Sequence, residues 1–321
     1  LNPRLHNDLL DRGVLTPEQH DCLEDIASGK SVSVYFDLRA LLYVGVMLLS
    51  TGIGILIYKN ISDVGHLVLI GALILLTIGC FGYAFWKGNP YSHKEVEGPT
   101  PFFEYVVLLG SLIFISVQGY LQFRYELLTE NLGISTLISA AVFLFVAYRF
   151  DHAGVLSLGI TALASFFSIT ISPEKWYSGN FLEGSHVYVT ALVFGAALAA
   201  AALLLERQRI KTHFTFTYLN FALLIFFLGG ISGLFWNDDR LWIYIAAIYV
   251  GVFFAYRSAR RMKSFLFLLY AFIAGYIATT YLLAETILRN ADFFWFYYFL
   301  LSSGGFVYFI IKYRKHFSRT E

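Results

Sequence analysis

From Ala40 to Tyr58 the chain carries no charged side chain. A helix of that length, rising about 1.5 Å per residue, crosses a hydrocarbon core of roughly 30 Å. Similar uncharged runs recur along the rest of the sequence, and they constrain the fold more than any other feature. In hydrocarbon every backbone N–H and C=O must be bonded inside the protein, so runs of this length are helices. Hydrophobic residues make up 58% of the chain and charged residues 14%, against about 25% charged in an ordinary soluble domain. A large soluble all-α protein has no place for so much apolar surface. The formal net charge is +1, which offers nucleic acid no electrostatic footprint. Cys22 lies in the polar N-terminal part and Cys80 inside an apolar run, so no disulfide framework is expected.

The predicted fold is all-α: a polytopic membrane bundle of about ten transmembrane helices, preceded by a short cytoplasmic helical hairpin. Three regions follow: the hairpin over 1–37, the transmembrane domain over 38–311 and a basic tail over 312–321. The spans are expected at about 38–58, 65–86, 102–123, 132–150, 152–171, 184–205, 213–236, 241–256, 264–284 and 293–311. The fourth and fifth are joined only by Arg149-Phe150-Asp151-His152, so they form a tight antiparallel pair, and the short eighth is expected to run on past its inner end. In the hairpin, Thr16-Pro17-Glu18-Gln19 reads as a helix start, with Thr16 as N-cap, Pro17 in the first turn and Gln19 closing a capping box. Two short helices bury little surface, so this hairpin is expected to pack on a protein partner or on the cytoplasmic loops. The first apolar run is longer than the 7–15 residues of a signal peptide core, which implies an internal signal-anchor.

Orientation follows from the basic residues. Of the 23 Lys and Arg, all but Lys59, Arg124, Lys175, Arg240 and Arg289 fall on the N-terminal side of the alternation. Cytoplasmic connections carry the excess of Lys and Arg, so both termini are expected in the cytoplasm. Trp86, Trp176, Trp236, Trp242 and Trp295 fall near span ends, where indole rings anchor helices at the interface. Ala191, Gly195 and Ala199 recur at four-residue spacing on the sixth span, a stripe that lets helices approach closely. Gly45, Gly52 and Gly54 on the first span and Gly304-Gly305 on the tenth offer the same. A faint repeat pairs Ala147-Tyr148-Arg149 with Ala255-Tyr256-Arg257. It suggests that spans two to five recur as six to nine in the same orientation, an arrangement known among transporters.

The run Leu9-Leu10-x-x-Gly13-Val14-Leu15-Thr16-x-Glu18-Gln19, then Tyr35-Phe36-Asp37-Leu38-Arg39, Tyr43-Val44-Gly45 and Gly52-Ile53-Gly54-Ile55, resembles the opening of domain-of-unknown-function family 2157. The likeness covers roughly residues 5–60. It implies a bacterial inner-membrane protein and supplies no activity.

Polar groups inside a bilayer are expensive, and they are the first places to look for function. Gln118 lies in the third span and Asn220 in the seventh, and each serves either as a substrate contact or as a hydrogen-bonding link between helices. Glu104 opens the third span, as a cation or proton site or as a carboxylate favoured by a helix N-terminus. Asp151 and His152, beside Arg149, make the densest charge cluster near the membrane: a pH-sensitive latch or an ion-paired turn. His186 and His213 start successive spans on opposite faces, so they cannot share a metal. No His or Cys spacing suits a metal, and no cofactor is implied. The sequence has no His-Glu-x-x-His, Gly-x-Ser-x-Gly or phosphate-binding loop.

Three functions remain. The leading expectation, from ten spans, cytoplasmic termini and the repeat, is transporter-like or channel-like passage; scarce buried charge argues against an ion-coupled transporter and restricts the substrate to a neutral or lipid-like one. The alternative is a non-enzymatic membrane scaffold or sensor that uses residues 1–37 to bind a partner. The third, an enzyme acting on lipid-linked substrates, needs a polar cluster at one interface, for which Glu126, Glu130, Glu183 and Asp239 on the outer side are the candidates. The ten-span arrangement predicts that a reporter fused after Glu321 reads cytoplasmic; an extracytoplasmic signal overturns it.

Overall fold

The computed structural model describes residues 35–59, 63–96, 98–125, 132–171, 185–236, 241–286, 295, 297–305 and 308. Residues 1–34 of the expected hairpin, the expected outer connections and the basic tail lie outside the described residues. All regular structure in the described residues is helical: α1 (Tyr35–Lys59), α2 (Asp63–Lys87), α3 (Pro101–Tyr125), α4 (Leu132–Phe150), α5 (Ala153–Ile171), α6 (Ser185–Arg207), α7 (Phe214–Trp236), α8 (Leu241–Met262) and α9 (Phe265–Thr286). Residues 297–305 are also helical.

Seven of these helices are long and apolar enough to cross a membrane: α2, α3, α4, α6, α7, α8 and α9. Each falls on an expected span. Shorter apolar stretches, Ala40–Ile53 and Ala153–Ser168, lie in α1 and α5. The eighth span does run on, reaching Met262. The connection between α4 and α5 is as tight as the sequence implies, with only Asp151 and His152 between them.

The chain forms two compact units, Leu1–His66 and Leu67–Glu321. In the first, α1 is apolar through its middle. In the second, antiparallel neighbours pair tightly: α4 with α5, α6 with α7, and α8 with α9. α7 is the hub, packing against α5, α6, α8 and α9. Its sequence, FTFTYLNFALLIFFLGGISGLFW, has no strongly polar face, which suits a helix that packs on several neighbours and still turns Leu228 and Phe235 outward. Phe214, Leu219, Ala222, Leu223, Phe227 and Leu234 of α7 are all buried.

Close approach of α6 and α7 depends on small residues. A Cβ on Gly195 would sit 2.8 Å from the Ala222 carbonyl oxygen and from the Phe226 amide nitrogen, both backbone atoms of α7. From the other side, a Cβ on Gly229 would meet the Ala191 Cβ at 2.8 Å. The Ala191–Gly195 part of the expected stripe is therefore a helix–helix contact. Gly45, Gly52, Gly304 and Gly305 differ: among the described residues no atom lies within 4 Å of such a Cβ.

Hydroxyl groups within the helices bond to their own backbones. Thr77 donates to the Leu73 carbonyl at 2.8 Å, Ser111 to Val107 at 2.9 Å and Ser165 to Thr161 at 3.0 Å. This satisfies a polar group that has no water to turn to. Large apolar side chains such as Leu75, Val193 and Phe253 remain exposed, as expected of surface that meets lipid. Trp86 and Trp242, 79% and 66% exposed, stand near helix ends where anchors belong.

Three helices stop at the same end of the second unit in the same way. The residue after the cap is left-handed, at Asp151 (φ 61°), Arg209 (φ 57°) and Lys263 (φ 50°). The next amide then bonds five residues back: His152 to Ala147, Ile210 to Leu205 and Ser264 to Ala259. This is the Schellman stop, where glycine is usual. Here charged residues occupy every one.

Gly195→Ala should lower unfolding stability by about 1–3 kcal/mol, because the added methyl meets backbone that cannot move aside. Gly79→Ala, in open space, should be neutral or slightly stabilising. Thermal unfolding of the two purified variants compares them, and equal midpoints would refute the close packing.

Candidate functional site

The charged ends gather three connections. α4 ends in a left-handed turn that points the Asp151 carboxylate inward, where its side chain is 2% exposed. Oδ2 accepts from the Val96 amide at 2.7 Å, in the segment between α2 and α3. The same oxygen lies 2.6 Å from Nζ of Lys211, between α6 and α7, whose side chain is 1% exposed. Lys211 also donates Nζ to the Lys94 carbonyl at 3.3 Å and its amide to the His93 carbonyl at 2.8 Å. The Tyr91 ring lies 5.2 Å from the ammonium. A buried ammonium loses several kcal/mol of hydration, on the order of the penalty that only a close, hydrogen-bonded counter-ion offsets. Asp151 supplies that counter-ion, and one carboxylate fastens the 88–100, 151–152 and 208–213 connections together.

His213 completes the cluster. Its Nε2 lies 2.5 Å from Asp151 Oδ1. The two atoms are close but not aligned for a hydrogen bond, so Oδ1 and both ring nitrogens are buried without one among the described residues. Its ring rests on Phe214, with centroids 4.3 Å apart. Arg149, at the end of α4, reaches the other way and donates Nη1 to the Asn89 carbonyl at 2.8 Å. Tyr148 and Tyr218 join α4 to α7 just inside this cluster, hydroxyl to hydroxyl at 3.0 Å.

His152 does a different job. It is the N-cap of α5: Nδ1 accepts from the amides of Gly154 at 3.1 Å and Val155 at 3.2 Å. Two donors aimed at Nδ1 leave it unprotonated, so the ring hydrogen is on Nε2, which donates to the Glu104 carbonyl at 3.0 Å. The imidazole therefore caps one helix and ties it to the first turn of α3. Asp151, His152 and Glu104 are thus brought together, with Glu104 contributing its backbone oxygen to the link.

The two amides are placed elsewhere. Gln118 Nε2 donates to both the carbonyl and, at 2.8 Å, the hydroxyl of Ser135, and Ser139 donates its hydroxyl to Gln118 Oε1. Asn220 Oδ1 accepts from the Tyr270 hydroxyl at 3.0 Å. Gln118 joins α3 to α4 and Asn220 joins α7 to α9, so the pair shares no partner. The side chains of His186, Glu126, Glu130, Glu183 and Asp239 lie outside the described residues. Among the described residues no group of three His, Cys, Asp or Glu side chains could hold a metal.

Nothing in the local sequence sets Lys211 and His213 apart as a pair. The sequence does carry a signal for this cluster: a Lys and a His in one inner connection, and an acid, Asp151, in another on the same side.

Residues 7–134 match the family model described as predicted membrane protein, DUF2157. The match includes the Leu9–Ile55 pattern, Glu104 and Gln118, and it stops before Asp151, His152, Lys211 and Asn220. No curated protein matches the chain, and no solved structure does. The chain is a membrane protein with several apolar helices, and the family description carries no activity.

Asp151→Asn keeps a side chain that tolerates the left-handed turn but leaves the Lys211 ammonium without its counter-ion. Stability should fall by about 3–5 kcal/mol. Asp151→Asn with Lys211→Met should recover most of that loss. Thermal unfolding in detergent measures both, and additive losses in the double variant would refute the pairing.

Proposed function

We propose that the chain is a non-enzymatic multi-pass membrane scaffold or sensor of the bacterial inner membrane. Ten spans place both termini in the cytoplasm, spans two to five recur as six to nine, and residues 1–37 form the hairpin that binds a protein partner. Alternation across the membrane requires the connections at 88–100, 151–152 and 208–213 to share one side. Their meeting at Asp151 supports that topology. On this reading the basic end is the cytoplasmic working face, and Asp151, His152 and Glu104 set the positions of its connections.

The observation that carries the reading is the use made of the intramembrane amides. A transport pathway for a polar or neutral solute needs hydrogen-bonding groups turned toward a passage. Gln118 is bonded to Ser135 and Ser139, and Asn220 to Tyr270. Both therefore favour a fixed bundle over a moving one.

Transporter-like or channel-like passage of a neutral or lipid-like substrate is the second reading. It is favoured by a cavity of about 240 Å³ lined by Phe272, Ile273, Tyr276, Ser302 and Ser303. An aromatic wall with a few hydroxyls suits a small neutral molecule, although the Tyr276 and Ser302 hydroxyls already bond each other at 3.0 Å.

Full-length protein in liposomes separates the readings. Glycerol- and urea-driven swelling and the scrambling of a fluorescent phospholipid should match protein-free liposomes. Flux well above that background, abolished in a folded Asn220→Leu or Ser302→Ala variant, would overturn the scaffold reading in favour of transport.

A further inference from the structure

The last three turns of α8 carry a second charged feature, separate from the Asp151 cluster. Phe253, Tyr256, Arg257, Arg260 and Arg261 follow one another at spacings of three and one, which puts all five on one helix face. Together they line a groove of about 510 Å³. The opposite face of α8, with Ile245, Ile248, Gly251, Ala255 and Ala259, is buried. The groove therefore faces away from the packed interior.

Its chemistry changes along its length. Phe253, deeper in the apolar part of the helix, is 68% exposed, and Tyr256 one turn further on is 40% exposed. The guanidinium groups follow at the helix end. Arg260 lies over the Tyr256 ring at 5.0 Å. Arg261 is ion-paired with Glu206 of α6, which takes up one of the three charges. Among the described residues the groove lining contains no carboxylate. An apolar floor that runs into a cluster of guanidinium groups at a membrane interface matches a molecule with a hydrocarbon tail and an anionic head. Planar guanidinium groups bind phosphate oxygens through two parallel N–H donors.

We propose that this groove binds an anionic phospholipid, with its phosphate held by Arg257 and Arg260 and an acyl chain lying along Phe253 and Tyr256. Arg261 is engaged by Glu206, which leaves Arg257 and Arg260 as the arginines of the lining to meet the phosphate. A bulk attraction between scattered basic residues and anionic lipid would act equally on any exposed cation at this end. A built groove acts through Arg257 and Arg260 in particular, and that difference is measurable.

Native mass spectrometry of the full-length protein, titrated separately with cardiolipin, phosphatidylglycerol and phosphatidylcholine, supplies the test. Arg257→Gln with Arg260→Gln should weaken anionic-lipid binding by about tenfold at physiological ionic strength, where attraction between exposed charges is screened but direct phosphate contacts are not. Arg209→Gln with Lys263→Gln, which removes two exposed cations outside the groove, should change it by less than about twofold. Binding of phosphatidylcholine should be unchanged by either. If the double groove variant does not fold, Arg257→Gln alone serves the same comparison. Equal weakening by both variants would overturn the groove in favour of general surface attraction. Equal affinity for phosphatidylcholine would overturn it as well. Displacement of bound lipid by millimolar inorganic phosphate would reassign the arginines to a free phosphate ion.

Discussion

A buried ammonium ion has given up its hydration, and at Lys211 the Asp151 carboxylate 2.6 Å away takes the place of that water. The remaining geometry of the basic end follows from this requirement. Oδ2 also accepts the Val96 amide, so the long 88–100 connection is drawn over the turn between α4 and α5. The Lys211 amide bonds back to the His93 carbonyl, so the turn between α6 and α7 is drawn in from the other side. Three connections that are far apart in sequence are thereby held by one side chain. Asp151 occupies a left-handed backbone position to do so, at a cost of roughly 1–2 kcal/mol relative to glycine. The carboxylate's value as a counter-ion exceeds that cost, because an unpaired buried ammonium would cost more.

Within the helical region the balance is different. Lipid is as apolar as leucine, so burial of hydrocarbon gives helices little reason to associate there. Close packing and a few hydrogen bonds must do it. Gly195 and Gly229 bring α6 and α7 within backbone contact, and Gln118 and Asn220 each bridge a pair of helices. Such bridges contribute modestly, about 0.6 kcal/mol on average. Their main effect is on register: an amide with three bonds to Ser135 and Ser139 permits one alignment of α3 on α4 and penalises others.

Much of the helical architecture was legible in the sequence because the bilayer makes the code simple. Uncharged runs near the required length mark helices, and the seven long apolar helices among the described residues fall on runs that the sequence marks. The tight turn at Asp151 and His152 was legible for the same reason, since almost nothing separates two such runs. The close contact of Ala191 and Gly195 with α7 was legible as a small-residue stripe. What the charged residues do at the basic end was less so. His152 looks like a titratable group in a charged turn, whereas its Nδ1 is taken up by two backbone donors, a fact that depends on where α5 begins to the residue. Lys211 looks like an ordinary inner-loop cation. Its burial depends on a contact with Asp151, sixty positions earlier, and long-range pairing of this kind leaves no periodic trace. The two amides were visible as polar residues in apolar helices, but which helices they face is set by packing.

The junction around Asp151 also has a consequence for how the protein is made. Membrane helices insert first and associate afterwards. Val96, Asp151 and Lys211 enter the membrane system in that order, separated by α3 to α4 and by α5 to α6. While the chain is still emerging, Asp151 can collect the Val96 amide but has no ammonium beside it. Lys211 follows α6 and precedes α7, so the lock can close no earlier than the arrival of the turn between them, and until then the 88–100 and 151–152 connections meet without their counter-charge.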